Sequence, residues 1–157
     1  MAKAWKILNF NPDKELDICL PKILNLRLNE MLSYEQGMIA GKEIESLHNM
    51  RIASRRIQAV LKAFRDYYPG KEYRKEYVKL QSLIQALGIV RHFDVFINKL
   101  EIFRNEIPEN GKDALELMII RQKSLRAQKR KELLTTIRLL KKNKLNDTFR
   151  KFISDVR

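Results

Sequence analysis

The stretch "LHNMRIASRRIQAVLKAF", residues 47–64, decides how the rest of the chain is read. From Ser46 to Arg65 there is no Asp or Glu, yet Arg51, Arg55, Arg56, Lys62 and Arg65 all fall there. At 100° per residue, Leu47, Met50, Ser54, Ile57, Leu61 and Phe64 run down one face of a helix. One residue further round lie His48, Arg51, Arg55, Gln58 and Lys62, a second line made almost entirely of donors and cations. A solvated helix face ordinarily mixes signs, because opposite charges at i,i+4 stabilise it and like charges repel. An ordinary wet face is the plain reading of a basic helix. The absence of any acid here favours a face that meets an anion.

The rest of the composition agrees with a polyanion partner. The chain has 157 residues, enough for one domain with a sizeable core, and 45% of them are hydrophobic. Its net charge is +13, so nucleic acid, acidic membrane or phosphate polymers are attracted in a salt-dependent way. Cys19 is the only cysteine, which leaves no intrachain disulfide and no multi-cysteine metal site. "MAKAWKILNF" lacks the apolar run of a signal peptide, and no segment approaches ~18 uninterrupted apolar residues. The expectation is a cytoplasmic protein with no membrane partner.

Five Gly and four Pro leave long uninterrupted segments. Residues 12–20 are a lead-in with no clear pattern. Pro21 suits a first helical turn, and Ile23, Leu24, Leu28, Met31 and Leu32 follow the helical period. Gly37 and Gly41 mark a break, "GKEIES" opens a second helix with acids in its first turn, and "YYPGK" stops it. A third helix is predicted over about 73–104 and a fourth over about 111–142. A short last one begins near Asp147, after "KKNKLND". No alternating β-branched pattern occurs. The predicted fold is all-α: an antiparallel bundle of four to five helices, some of them long, with a basic groove.

Two further helices carry cations on apolar lines. In the third, Leu80, Leu83, Leu87, Arg91 and Asp94 share a seam, and Gly88 lies nearly a turn before Arg91. A core-facing Arg is costly unless paired, so an Arg91–Asp94 pair closing the bundle end is one reading. Gly88 weakens a helix and implies a close approach by backbone or ligand. In the fourth, the line Leu140, Ile137, Leu133 continues through Arg130 and Arg126, and no acid separates Leu117 from Lys131. Since so many charges cannot be buried unpaired, they are expected to line a wet groove that holds anions. His48 and His92 with one distant Cys make no metal cluster, and no glycine-rich phosphate loop or nucleophile elbow is present. No cofactor and no catalysis are expected.

"LHNMRIASRRIQAVLKAF" resembles the signature helix of the CHAD domain (conserved histidine α-helical domain), His-x-x-Arg-hydrophobic-x-x-Arg-Arg ending in Leu-x-x-Phe. "LIQALGIVRHFDVFINKL", residues 83–100, resembles that family's second signature, Leu-Gly-x-x-Arg-Asp-x-Asp-Val, with His92 where the family usually has an acid. The resemblance implies a non-enzymatic module for inorganic polyphosphate, or for phosphate and sulfate anions. It implies His48, Arg51, Arg55 and Arg56 as ligands from the first signature and Arg91, beside Asp94, from the second. Arg126 and Arg130 belong to the family's basic last long helix, and Lys62 and Lys129 adjoin these rows. Residues 1–157 resemble the N-terminal half of a domain that usually comprises two similar bundles. A homodimer, promoted by the polyanion, is therefore expected to supply the second half. A nucleic-acid-binding helical protein is the alternative that net charge allows, although the cations converge on seams and not on one convex face with aromatic platforms.

Overall fold

The computed structural model describes residues 3–7, 15–41, 44–68 and 70–155. Six α-helices follow one another: α1 (Leu16–Ser33), α2 (Glu35–Ala40), α3 (Ile44–Ala63), α4 (Gly70–Arg104), α5 (Glu109–Lys142) and α6 (Leu145–Ser154). A 3₁₀ turn, Arg65–Tyr67, separates α3 from α4. Among the described residues there is no strand, and five of the helices have ten residues or more, so the all-α bundle stands. Residues 12–14 of the lead-in, Lys42 and Glu43 of the expected start of α3, and Pro69 of its stop signal lie outside the described residues.

Each helix follows from its apolar line. On α3, Leu47, Met50, Ala53, Ser54, Ile57 and Leu61 are buried, and the Ser54 hydroxyl donates to the Arg51 carbonyl at 2.9 Å, which makes its burial tolerable. On α4 the buried line is Tyr73, Glu76, Leu80, Leu83, Leu87, Val90, Asp94 and Ile97. α1 begins earlier than Pro21 suggests: the proline sits inside the helix, at its sixth position. A proline there removes one backbone hydrogen bond and costs about 3 kcal/mol. The preceding turn buries Cys19 and Leu20, and that burial outweighs the local penalty.

The helices pack as a chain of neighbours. α1 lies on α3, α3 on α4 and α4 on α5, while α6 returns across α1, α4 and α5. Phe149, Phe152 and Ile153 of α6 complete the core, with Tyr68 against Phe152 at 4.5 Å between ring centroids. The buried Glu76 accepts from Lys79 at 2.7 Å and from the Thr148 hydroxyl at 3.2 Å, tying α4 to α6. α4 and α5 form an antiparallel hairpin, with Glu101–Lys123 (2.7 Å) and Arg104–Glu116 (2.5 Å) as ion-pair rungs. The core stops short of its tip. No residue from Asn98 to Met118 is buried.

The acid-free row of α3 meets an acid from another helix, Glu30 of α1. Its carboxylate is wholly buried and takes Arg27 at 2.8 Å and Arg56 at 2.5 Å. Removing a buried carboxylate strands its cations, which typically costs about 3–5 kcal/mol. Glu30→Ala is therefore expected to lower unfolding free energy by about 3 kcal/mol, against less than about 0.5 kcal/mol for Glu132→Ala at the exposed Lys129–Glu132 pair. Urea denaturation of both variants measures this; equal effects would show that the buried carboxylate contributes no more than a surface one.

Candidate functional site: a cationic seam between α3 and α4

His48, Arg51 and Arg55 stand at i, i+3 and i+7 on α3, so one flank of the helix presents all three. α4 runs alongside and contributes Gly88 and Arg91. Arg51 lies over Gly88: a methyl group placed on that glycine would find Arg51 Nε at 3.6 Å. Further along, the Gln58 amide donates to the Tyr77 hydroxyl at 3.2 Å and joins the two helices. Sequence gives no reason to single out Tyr77, which also stacks on Tyr73 one turn earlier, at 5.3 Å between centroids.

These groups feel one another. Desolvation holds the His48 imidazole below its ordinary pKa of 6.5, with the charges of Arg91 and Arg51 pushing the same way and Glu45 opposing them. Desolvation likewise lowers Arg51, helped by the like charges of Arg55 and Arg91. His48 Nδ1 and Arg51 Nε are buried without a hydrogen-bond partner. Among the described residues, His48, Arg51, Arg55 and Arg91 form no salt bridge. Packing that gathers like charges and leaves a buried donor unmade opposes folding, and an arriving anion relieves both costs.

The other residues expected at the site meet different partners. Arg56 bonds Glu30. Arg126 bonds Asp94 Oδ1, while Asp94 Oδ2 is buried and accepts nothing, so the expected Arg91–Asp94 pair does not form. Arg130 donates to the carbonyls of Ile39 (2.7 Å) and Met38 (3.3 Å) at the end of α2. Gly41 follows there at φ 69°, directly beneath that guanidinium, where a side chain has neither the backbone freedom nor the space. Lys129 pairs with Glu132 at 2.9 Å, and Lys62 is exposed at the last turn of α3. The cations of α5 also approach a different flank of α4. Ala86 and Ile89 face Lys129 and Leu133 across a shallow cleft, whereas Gly88 and Arg91 lie on the side towards α3.

The CHAD domain family model matches residues 22–156. The chain belongs to the CHAD domain family. No curated protein and no solved structure matches it. In this CHAD domain the His-x-x-Arg and Leu-Gly-x-x-Arg motifs thus meet across a single helix–helix seam. Among the described residues, no group of three or more His, Cys, Asp or Glu side chains could hold a metal ion, and no helix is long and apolar enough to cross a membrane.

Two outcomes follow from this geometry. The 3.6 Å clearance at Gly88 is ordinary van der Waals contact, so Gly88→Ala is expected to raise stability by about 0.5–1 kcal/mol through helix propensity, measured by urea denaturation. A loss would show that the seam closes more tightly over the glycine. For His48, a folded pKa below 6.5 means that the unfolded chain binds more protons between the two values. The contribution is fully present above 6.5 and is lost as pH falls through the folded value. Stability should therefore drop as pH falls below about 6.5, and His48→Gln should flatten that slope. An unchanged slope in the variant would assign the pH response elsewhere.

Proposed function

We propose that this CHAD domain is a non-enzymatic, cytoplasmic module that binds inorganic polyphosphate along the α3–α4 seam. The family is one of polyphosphate-binding helical domains, and the supporting observation is local: four cationic or donor side chains converge without an acid partner, with Arg51 Nε buried and unbonded. Arginine dominates the cluster, and its planar fork suits bidentate contact with phosphate oxygens. Lys62 extends the track, so His48 to Lys62 spans fourteen residues, roughly 21 Å of helix. A linear polyanion matches that row better than a compact one. Phosphate and sulfate share the chemistry and are the monomeric ligands. Arg56, Lys129, Arg126 and Arg130, each with a partner inside the fold, supply background potential more than direct contacts. Nucleic acid is the competing ligand, since a charge of +13 attracts any phosphate backbone.

Competition between labelled polyphosphate and single- or double-stranded nucleic acid tests the reading, with polyphosphate expected to win at equal phosphate concentration. Arg51→Ala, Arg55→Ala and Arg91→Ala should each cost about 1.5–3 kcal/mol of binding. Arg65→Ala should cost little, because Arg65 is exposed and sits over the Tyr73 ring at 5.9 Å, away from the seam. Calorimetry at several salt concentrations should show affinity falling steeply as counterion release weakens. Equal losses at all four arginines, or a flat salt response, would leave only bulk charge and overturn the seam as the site.

A further inference from the structure

The α4–α5 hairpin carries an apolar face that the bundle does not cover. On α4, Ile89, Phe96 and Phe103 recur every seven residues, exposed by 47%, 37% and 51%. On α5, Met118 and Leu125 are also seven apart, exposed by 46% and 36%. The ion-pair rungs Arg104–Glu116, Glu101–Lys123 and Asp94–Arg126 fix the register of the two antiparallel helices. That register sets Phe103 level with Met118 and Phe96 level with Leu125. Rotation at 100° per residue puts all four on the same flank of the hairpin. Seven-residue apolar spacing on paired helices is the pattern of a helix-packing seam, not of a solvated surface.

We propose that a second copy of this chain covers this face, its hairpin lying antiparallel on the first to make a two-fold, four-helix contact. Charge along the hairpin selects this occupant. Residues 105–116 at the tip contain four acids, Glu106, Glu109, Asp113 and Glu116, and one base, Lys112. Residues 121–131 contain six bases and no acid. A two-fold axis between the Phe96 and Phe103 rungs lays the acidic tip of each copy beside the basic stretch of the other. The contact therefore joins two chains of charge +13 without opposing like surfaces. From Ile89 to Phe103 the face runs roughly 21 Å, and it is two helices wide, about 20 Å. That is roughly 420 Å², about half of the ~800 Å² per partner of a standard interface, so the contact is of the weak, concentration-dependent class. The Gly88–Arg91 flank points elsewhere, so pairing leaves the cationic seam open and needs no anion. The inference does not rest on the polyphosphate reading, and it moves the expected dimer contact from the basic seam to the hairpin.

Sedimentation equilibrium of the full chain without polyanion, over a roughly hundredfold concentration range, is the test. The native chain should approach a dimer mass with rising concentration. Phe103→Glu, a substitution at the unburied tip, should stay monomeric with unchanged helical circular dichroism and melting temperature. Lys99→Cys, close to the proposed axis, should cross-link to itself under mild oxidation, whereas the native chain, with its buried Cys19, should not. A monomer at every concentration overturns the proposal. So does a dimer that Phe103→Glu leaves intact and Lys99→Cys fails to trap. If Arg55→Ala instead abolishes the dimer while Phe103→Glu does not, the copies meet through the cationic seam and the hairpin assignment is wrong.

Discussion

Packing of α3 on α4 is the constraint from which the rest follows. The two helices bury Leu47, Met50, Ile57 and Leu61 against the core that Leu80, Leu83, Leu87 and Val90 help to build. That burial stabilises by roughly 1.5–3 kcal/mol per large side chain. It fixes the outer flanks of both helices as well as the inner ones. His48, Arg51, Arg55 and Arg91 are brought together because their neighbours at one residue's remove must be inside. A cluster of mutually repelling groups thus draws its rigidity from apolar contacts on the opposite side of the same helices.

The acids are distributed so that this repulsion is left in place. Glu30 is spent on Arg27 and Arg56, Asp94 on Arg126, and Glu76 on Lys79. Each of those cations braces one part of the bundle against another or secures a helix turn. The cations of the α3–α4 seam receive no such partner among the described residues, and Glu45 is the acid whose charge reaches His48. Two populations of arginine result, one that holds the fold and one that the fold holds out.

The division was only half legible in the sequence. The apolar lines of α3, α4 and α5 are periodic enough to read directly, and Gly41 and "YYPGK" mark breaks that the structure keeps, whereas Gly37 lies inside α2 and the break before it falls at Tyr34. The start of α1 was not readable, because Pro21 argues locally for a beginning that tertiary burial of Cys19 and Leu20 overrides. The acid-free face of α3 is legible too, and the structure sets its His48, Arg51 and Arg55 beside Arg91 without a salt bridge among the described residues. What spacing cannot reveal is which arginine meets which acid. Arg126 with Asp94 and Arg56 with Glu30 are 32 and 26 residues apart, and their pairing depends on how whole helices lie side by side. Arg130 shows the same limit: it reads as a groove cation and turns out to cap the carbonyl end of α2, 91 residues away.

The return of α6 across α1 has a kinetic meaning. Arg150 donates to Asn25 and Asn29 across 125 and 121 residues of chain, whereas the α4–α5 hairpin closes through Arg104 and Glu116, only twelve apart. Loop-closure entropy rises with the logarithm of the enclosed length, so the hairpin forms at small entropic cost and the α1–α6 contact at large cost. Until α6 arrives, the apolar surface that Phe149, Phe152 and Ile153 cover stays wet. On closure entropy alone, the hairpin, whose tip has no buried residue from Asn98 to Met118, is expected among the earliest structures and the sealing of the core by α6 among the last.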